Sequence, residues 1–309
     1  MPTMVTSRRA LSYCIALGTS IAQTATIHRP SASCSTSPAP APARPSVAEA
    51  RPQVLNRSQL SSLSLEEAIN AELLPMKEAQ HLKVHKFPQF FSQEDIQLVL
   101  DFKRTQGQAL GTVRRGSTGL KALDSPWVTT YLSTDNLLEK CHPALVQRLV
   151  EAAVRADEAQ GWGLLAAPPG SPLEGRLNVR VMELHSVMPG GALSDKNHFD
   201  GGSLVTLDVM LSSPGDFDGG SFSTPESDGN VTRHDFSCGD LIVFPSHKYH
   251  FVEPVTAGYR AVMVMELWRG ESRGCAHRCL QHLGDCDYSA ARSKVDTLLH
   301  ASFPEVDPW

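Results

Sequence analysis

The chain has 309 residues, 28 Lys+Arg against 33 Asp+Glu, and 41% hydrophobic residues. That composition excludes wholesale disorder and a disulfide miniprotein, and a net charge of −5 gives no support for a nucleic-acid-binding surface, which would show a basic patch. No run of 18 apolar residues occurs, which excludes a multi-span membrane protein. The charge is uneven along the chain. Residues 1–47 contain no acid but hold Arg8, Arg9, Arg29 and Arg44, so this stretch carries +4 and the rest −9. An acid-free start rich in Ser, Ala and Pro reads as a targeting segment or disordered linker over 1–50, addressed to the secretory pathway (endoplasmic reticulum) or an organelle. A plain cytoplasmic tail is the alternative.

Residues 51–82 read as a helical linker, with an amphipathic helix over 65–74 before Pro75. The next helix spans 92–105 and opens with Ser92-Gln-Glu-Asp95, a capping box in which each side chain satisfies an orphan amide of the first turn. A third spans 143–160, with Pro143 at its first position and Leu145, Val146, Leu149, Val150 and Ala153 forming a core-facing stripe. After Gly161 the pattern changes to short apolar runs between Gly, Pro and Asp clusters, at 177–184, 203–211, 221–224, 240–245 and 260–268. Such spacing indicates antiparallel strands in a sandwich or barrel. The fold class expected is α+β, with the chemistry in the β part.

Two short stretches carry that chemistry. His198-Phe-Asp200 is the only H-x-D among twelve histidines, and on a strand positions i and i+2 share a face. About fifty residues later comes Asp240-Leu-Ile-Val-Phe-Pro-Ser-His-Lys-Tyr-His250. Two His and one carboxylate on one side of an iron form the facial triad of non-haem Fe(II) oxygenases, leaving positions open for a bidentate co-substrate and dioxygen. Arg260 follows His250 by ten residues, after a turn at 256–258, so it reaches the neighbouring strand and faces the same cavity. A guanidinium fork suits a distal carboxylate.

The pattern His198-x-Asp200, then His250-x-Val252-x-Pro254-Val255-x-x-Gly258-x-Arg260, resembles the 2-oxoglutarate- and Fe(II)-dependent dioxygenases, and among them the prolyl 4-hydroxylase-type catalytic domain. Asp218-Gly-Gly-Ser-Phe222, Gly239-Asp240, Phe244-Pro-Ser246 and the opening segment 84–95 add to the resemblance, which covers residues 83–270. It implies a double-stranded β-helix (jelly roll) with flanking N-terminal helices, followed by a Cys-containing extension over 271–309. It further implies an oxidoreductase that hydroxylates an organic substrate, by default peptidyl proline, with dioxygen and 2-oxoglutarate, releasing succinate and carbon dioxide. The implied metal ligands are His198, Asp200 and His250; Arg260 holds 2-oxoglutarate, and ascorbate serves as reductant. The implied partner is a peptide or small-molecule substrate, with no nucleic acid and no integral membrane span.

The sequence departs from that pattern in one place. The family places a Tyr before H-x-D to help hold 2-oxoglutarate, whereas no Tyr occurs here between Tyr131 and Tyr249. His185 and Thr206 are the candidate substitutes. This departure is the best support for the rival reading, a non-catalytic jelly-roll binding protein with a vestigial metal site. His247 competes with His250 as the distal ligand, but strand alternation and the spacing to Arg260 both favour His250. His234, His277 and His282 read as solvent-exposed. Cys275, Cys279 and Cys286 cluster beyond the last strand, yet neither C-x3-C nor C-x6-C is a strong zinc spacing, so a second metal site is not expected.

Overall fold

The computed structural model describes residues 62–71 and 76–287, all within the compact unit Ala50–Trp309. The expected targeting segment lies outside them. The first helix, α1 Leu65–Ala71, falls in the amphipathic stretch, and α2 Met76–Ala79 follows. Beyond β1 His85–Phe87, the capping box starts α3 Gln93–Gln106: the Ser92 hydroxyl accepts from the Asp95 amide at 3.2 Å, and the Asp95 carboxylate accepts from the Ser92 amide at 3.0 Å.

Two strands that the sequence reading did not anticipate come next, β2 Gly111–Arg115 and β3 Trp127–Tyr131. Each is five residues long, too short for periodicity to separate from loop. A short helix α4 Leu137–Cys141 leads into α5 Pro143–Gln160, which has the bounds its sequence suggested and stops at Gly161 in the left-handed conformation (φ 64°). The remaining strands are β4 Asn178–Val187, β5 Val205–Met210, β6 Phe217–Gly219, β7 Phe222–Pro225, β8 Val231–Arg233, β9 Leu241–Pro245, β10 Phe251–Val252, β11 Val255–Gly258 and β12 Arg260–Trp268.

The architecture is mixed helix and antiparallel sheet. Seven strands pair in the order β1-β9-β5-β12-β4-β3-β2; smaller sheets join β10-β7-β8 and β11-β6. Alternation along β12 explains why that strand is apolar throughout and how the cavity arises. Ala261, Met263, Met265 and Leu267 pack with Ile96, Val99 and Phe102 of α3 and Leu145, Val146 and Leu149 of α5. Each large side chain in that layer contributes about 1.5–3 kcal/mol on burial, so the helix side of the sheet holds much of the stability. Arg260, Val262, Val264 and Glu266 point to the other side. There Phe222 of β7 packs on Ile242 and Phe244 of β9, closing the cavity from the small sheet. A bulge in β4 opposite Glu266 and Leu267 leaves Arg180 without a cross-strand partner and re-aims it beneath the site. Among the described residues, no helix is long and apolar enough to cross a membrane.

Candidate metal centre

His198 and Asp200 lie in a loop, not on the strand their spacing suggested. Two backbone hydrogen bonds bring that loop to the turn after β9: the Asp200 amide donates to the Ser246 carbonyl at 2.8 Å, and the His250 amide donates to the His198 carbonyl at 3.0 Å. The residues still alternate. One ligand atom each from His198, Asp200 and His250 come within 4.8 Å of one another, whereas Phe199 turns away to pack on His247 and Tyr249, with ring centroids 5.8 and 6.3 Å away. His247 is thus on the far side of the turn, and Gln80 holds its carbonyl at 2.9 Å and the Tyr249 amide at 2.8 Å.

The electrostatics prepare each of these groups for a cation. Burial brings the His250 imidazole down to about 4, so it is neutral at pH 7. Its Nδ1 donates to the Lys248 carbonyl at 3.1 Å, which fixes the tautomer and leaves the Nε2 lone pair facing Asp200. Burial pushes the Asp200 carboxyl up, but the Arg278 guanidinium above all, with the adjoining His250 and His198 rings, more than offsets this and holds it well below the ordinary carboxylate range. Both its oxygens are held, Oδ1 by Arg278 at 2.9 Å and Oδ2 by the Thr206 hydroxyl at 2.9 Å. A donor set of two imidazoles and one ionised carboxylate suits a first-row divalent metal such as iron(II).

The cavity beside this triad occupies about 650 Å³ including its open mouth. Arg260, at the start of β12, is 3% exposed and lines it, and its Nε has no hydrogen-bond partner. Two glycines make room for it. Gly258 takes φ 76° in the turn before Arg260, where a Cβ would run into the Asp216 carbonyl, and a Cβ at Gly220 would come 2.7 Å from Arg260 Cδ. Burial lowers the Arg260 guanidinium to about 10 against the opposing charge of Asp208, so it stays a cation at pH 7. An unpartnered buried guanidinium aimed into a cavity calls for an anion.

The two proposed substitutes for the missing Tyr have different surroundings. His185 lines the cavity, with its Nε2 2.7 Å from Glu183 Oε2 and its ring edge-on to Trp127 at 5.2 Å. Thr206 is fully buried and does not line the cavity; its hydroxyl donates to Asp200 and shares a second contact with Ser246 Oγ at 2.9 Å. No Tyr lines the cavity among the described residues. The loop around Pro189-Gly-Gly191 closes one side, where Leu193 bridges to Val252. His234, His277 and His282, expected in solvent, are half-buried, because neighbouring loops pack over them.

Several site residues escaped the sequence reading. Asp208 lines the cavity opposite Arg260; burial and then the Asp200 charge push its carboxyl up to about 8, and its Oδ1 has no partner. Parity with Thr206 along β5 is the signal that could have found it. Arg278, from the C-terminal extension, enters between three carboxylates: Asp200, Glu183 at 3.3 Å, and Glu266 at 2.7 Å but off the hydrogen-bond line. Nothing in its sequence neighbourhood signalled that role.

No family model matches the chain. Over 60 residues it is 40% identical to a PKHD-type hydroxylase of Sphingopyxis alaskensis, covering 19% of this chain and 27% of that protein. Over 69 residues it is 35% identical to a PKHD-type hydroxylase of Beijerinckia indica subsp. indica, covering 21% and 30%. The resemblance read from the sequence holds. These matches span less than a third of either relative. A solved oxidoreductase of the 2OG-Fe(II) oxygenase family from Burkholderia pseudomallei is similar at 15% identity and a TM-score of 0.43, over 69% of this chain and 94% of that one.

Proposed function

We propose that this chain is an iron(II)- and 2-oxoglutarate-dependent hydroxylase built on a jelly roll over residues 83–270, acting on an organic substrate with peptidyl proline as the default. The observation that carries the proposal is the convergence of His198, Asp200 and His250 beside the unpartnered, buried guanidinium of Arg260. Iron bound by those three residues supplies dioxygen activation coupled to oxidative decarboxylation of 2-oxoglutarate to succinate and carbon dioxide. Ascorbate enters as the reductant on the family resemblance alone.

The protein's own groups do the rest. Thr206 and Arg278 fix the Asp200 carboxylate, so it is ionised and oriented before any cation arrives. Arg260 holds the distal carboxylate of 2-oxoglutarate as a charge-assisted pair in a site shielded from water by Val262, Val264 and Phe222. Asp208 is neutral at pH 7 and offers its O–H to the same carboxylate, the task that a Tyr hydroxyl performs in the family.

Anaerobic addition of iron(II) and 2-oxoglutarate is expected to give the weak visible charge-transfer band of the chelate, and aerobic incubation to release succinate. Absence of both would return the chain to a binding protein. Arg260→Ala is expected to raise the 2-oxoglutarate KM by about 100-fold, in line with the few kcal/mol lost when one partner of a buried charge pair is truncated. An unchanged KM would remove Arg260 from the co-substrate site.

The raised Asp208 carboxyl has a pH signature. Below about 8 it is protonated and donates; above, its anion repels the dicarboxylate and competes for Arg260. Asp200, Glu266, Arg260 and Arg278 are the charges acting on it. We therefore expect kcat/KM for 2-oxoglutarate to fall as pH rises through about 8. Asp208→Asn should flatten that alkaline limb, and a limb that persists in the variant would assign it to another group.

A further inference from the structure

The C-terminal segment after β12 contains a second group of metal-ligating side chains, 275–286, apart from the triad. Residues 270–286 form neither helix nor strand, so no backbone ladder holds them. Yet Cys275, Cys279 and Cys286 are buried against Trp268 in a small core of their own. Together with half-buried His277 they present one ligand atom each within 4.8 Å of one another. None of these thiols is in a disulfide; Cys275 Sγ and Cys286 Sγ stand 3.4 Å apart, well beyond the ~2.05 Å of an S–S bond. A tetrahedral zinc site with Zn–S bonds of ~2.3 Å has edges of about 3.8 Å, so the four donors need shift by no more than about 1 Å relative to one another to hold one ion. Three thiolates and one imidazole are the soft donor set that favours zinc in a closed structural site.

We propose that Cys275, His277, Cys279 and Cys286 bind one structural zinc ion, and that this zinc holds Arg278 in its place against Asp200. The chain bends at Ala276 and His277, and from between the ligands His277 and Cys279 the Arg278 side chain reaches into the cavity, to Asp200 at 2.9 Å. The segment is anchored to the sheet around this point. The Cys279 carbonyl accepts from buried Arg180 Nε at 2.6 Å, the Gly274 carbonyl accepts from the Asp135 amide at 2.8 Å, and Trp268 Nε1 donates to the Glu271 carbonyl at 3.0 Å. Gly111 in β2 leaves the space that Ala276 fills. Arg278 is thereby a positioning residue for Asp200, and zinc is the cross-link that replaces secondary structure where the chain presents it. Sequence spacing gave little hint of this, because C-x-H-x-C-x6-C closes on one ion only when Cys286 is folded back.

The test is the metal content of the full chain, purified under reducing conditions from zinc-replete cells and measured by elemental analysis. The expected result is one zinc per chain, retained in Asp200→Ala and lost in Cys275→Ser, Cys279→Ser and His277→Ala. The same chain loaded with cobalt(II) should show intense thiolate-to-cobalt charge-transfer absorption, a readout on the wild type that stands even if the variants fail to fold. Removal of the zinc by a mercurial is expected to weaken iron(II) binding by about 10–100-fold, the usual effect of losing a residue that orients a ligand. Zinc near zero with no cobalt–thiolate absorption overturns the proposal. So does a Cys275–Cys286 disulfide in the native chain, or zinc that is lost with Asp200→Ala and kept with Cys275→Ser. The zinc count is independent of hydroxylase activity, so failure of either reading leaves the other standing.

Discussion

Asp200→Ala is expected to weaken iron(II) binding more than 100-fold and to abolish succinate release. Asp200 is the only carboxylate in the triad, and it is 3% exposed with both oxygens held, by Arg278 and by Thr206. Loss of a direct ligand must exceed the ~10–100-fold cost of losing a group that only orients one. The variant is expected to fold, because Arg278 keeps Glu183 and Glu266 as partners after Asp200 is gone. Isothermal titration with iron(II) under anaerobic conditions measures the effect. His247→Ala is the internal control. Its ring packs on Phe199 on the far side of the turn, so binding should survive. If His247→Ala abolishes binding while His250→Ala does not, the distal ligand has been misassigned.

The sequence made the backbone of this site readable and hid its polar lining. The triad and Arg260 were legible because they sit at fixed distances in short motifs, and α5 was legible because Pro143, an apolar stripe and Gly161 mark its start, face and end. Local chemistry decided both. Strands β2 and β3 were not legible, since each is short and is held by tertiary pairing, β3 on β4 and β2 on β3. The convergence of His198 and Asp200 with His250 was anticipated for a partly wrong reason: parity on a strand was expected, whereas two loop-to-turn backbone hydrogen bonds do the work. Asp208 was missed because a carboxyl among Val, Thr, Leu and Met looks like a strand edge, yet it is 9% exposed in a central strand. Arg278 lies 78 residues from Asp200 in an irregular segment, and no local rule connects them.

Those hidden residues form one network, and its charge balance has consequences. Glu183 and Glu266 are fully buried and Asp200 nearly so; facing them are Arg278, Arg115 and Arg180. Buried charges of one sign at this density are tolerable only when each is paired. Arg115 reaches Glu183 at 3.1 Å and Arg180 reaches Glu266 at 3.1 Å, so each glutamate has a second cation. Asp200 has no arginine except Arg278. Three carboxylates thus face three guanidinium groups, and Asp200, which shares its single arginine with both glutamates, is the carboxylate left most available to a divalent metal.

Arg278→Met tests that balance and should be the most destabilising single change in the site. Its side chain is 21% exposed, and removing it leaves Asp200 with only the Thr206 hydroxyl and the histidines. Breaking a buried ion pair from one side costs about 3–5 kcal/mol. The pH dependence follows from the carboxyls. Burial pushes Glu183 up, but Arg278, His185 and Arg115 more than offset it and hold it well below its ordinary value. Asp200 is lowered for the same reason. Groups with depressed folded-state values add stability above their unfolded values, near 4, and that contribution is lost as pH falls through the folded ones. The gap between wild type and Arg278→Met should therefore be full at pH 7 and shrink progressively below pH ~4. Urea unfolding midpoints of the iron-free proteins at pH 7 and ~3.5 measure it. Iron(II) should also stabilise the variant less than the wild type, because without Arg278 the Asp200 carboxylate is no longer oriented as a ligand. A variant with an unchanged midpoint at pH 7 would show that Arg278 is solvated in solution and does not hold Asp200.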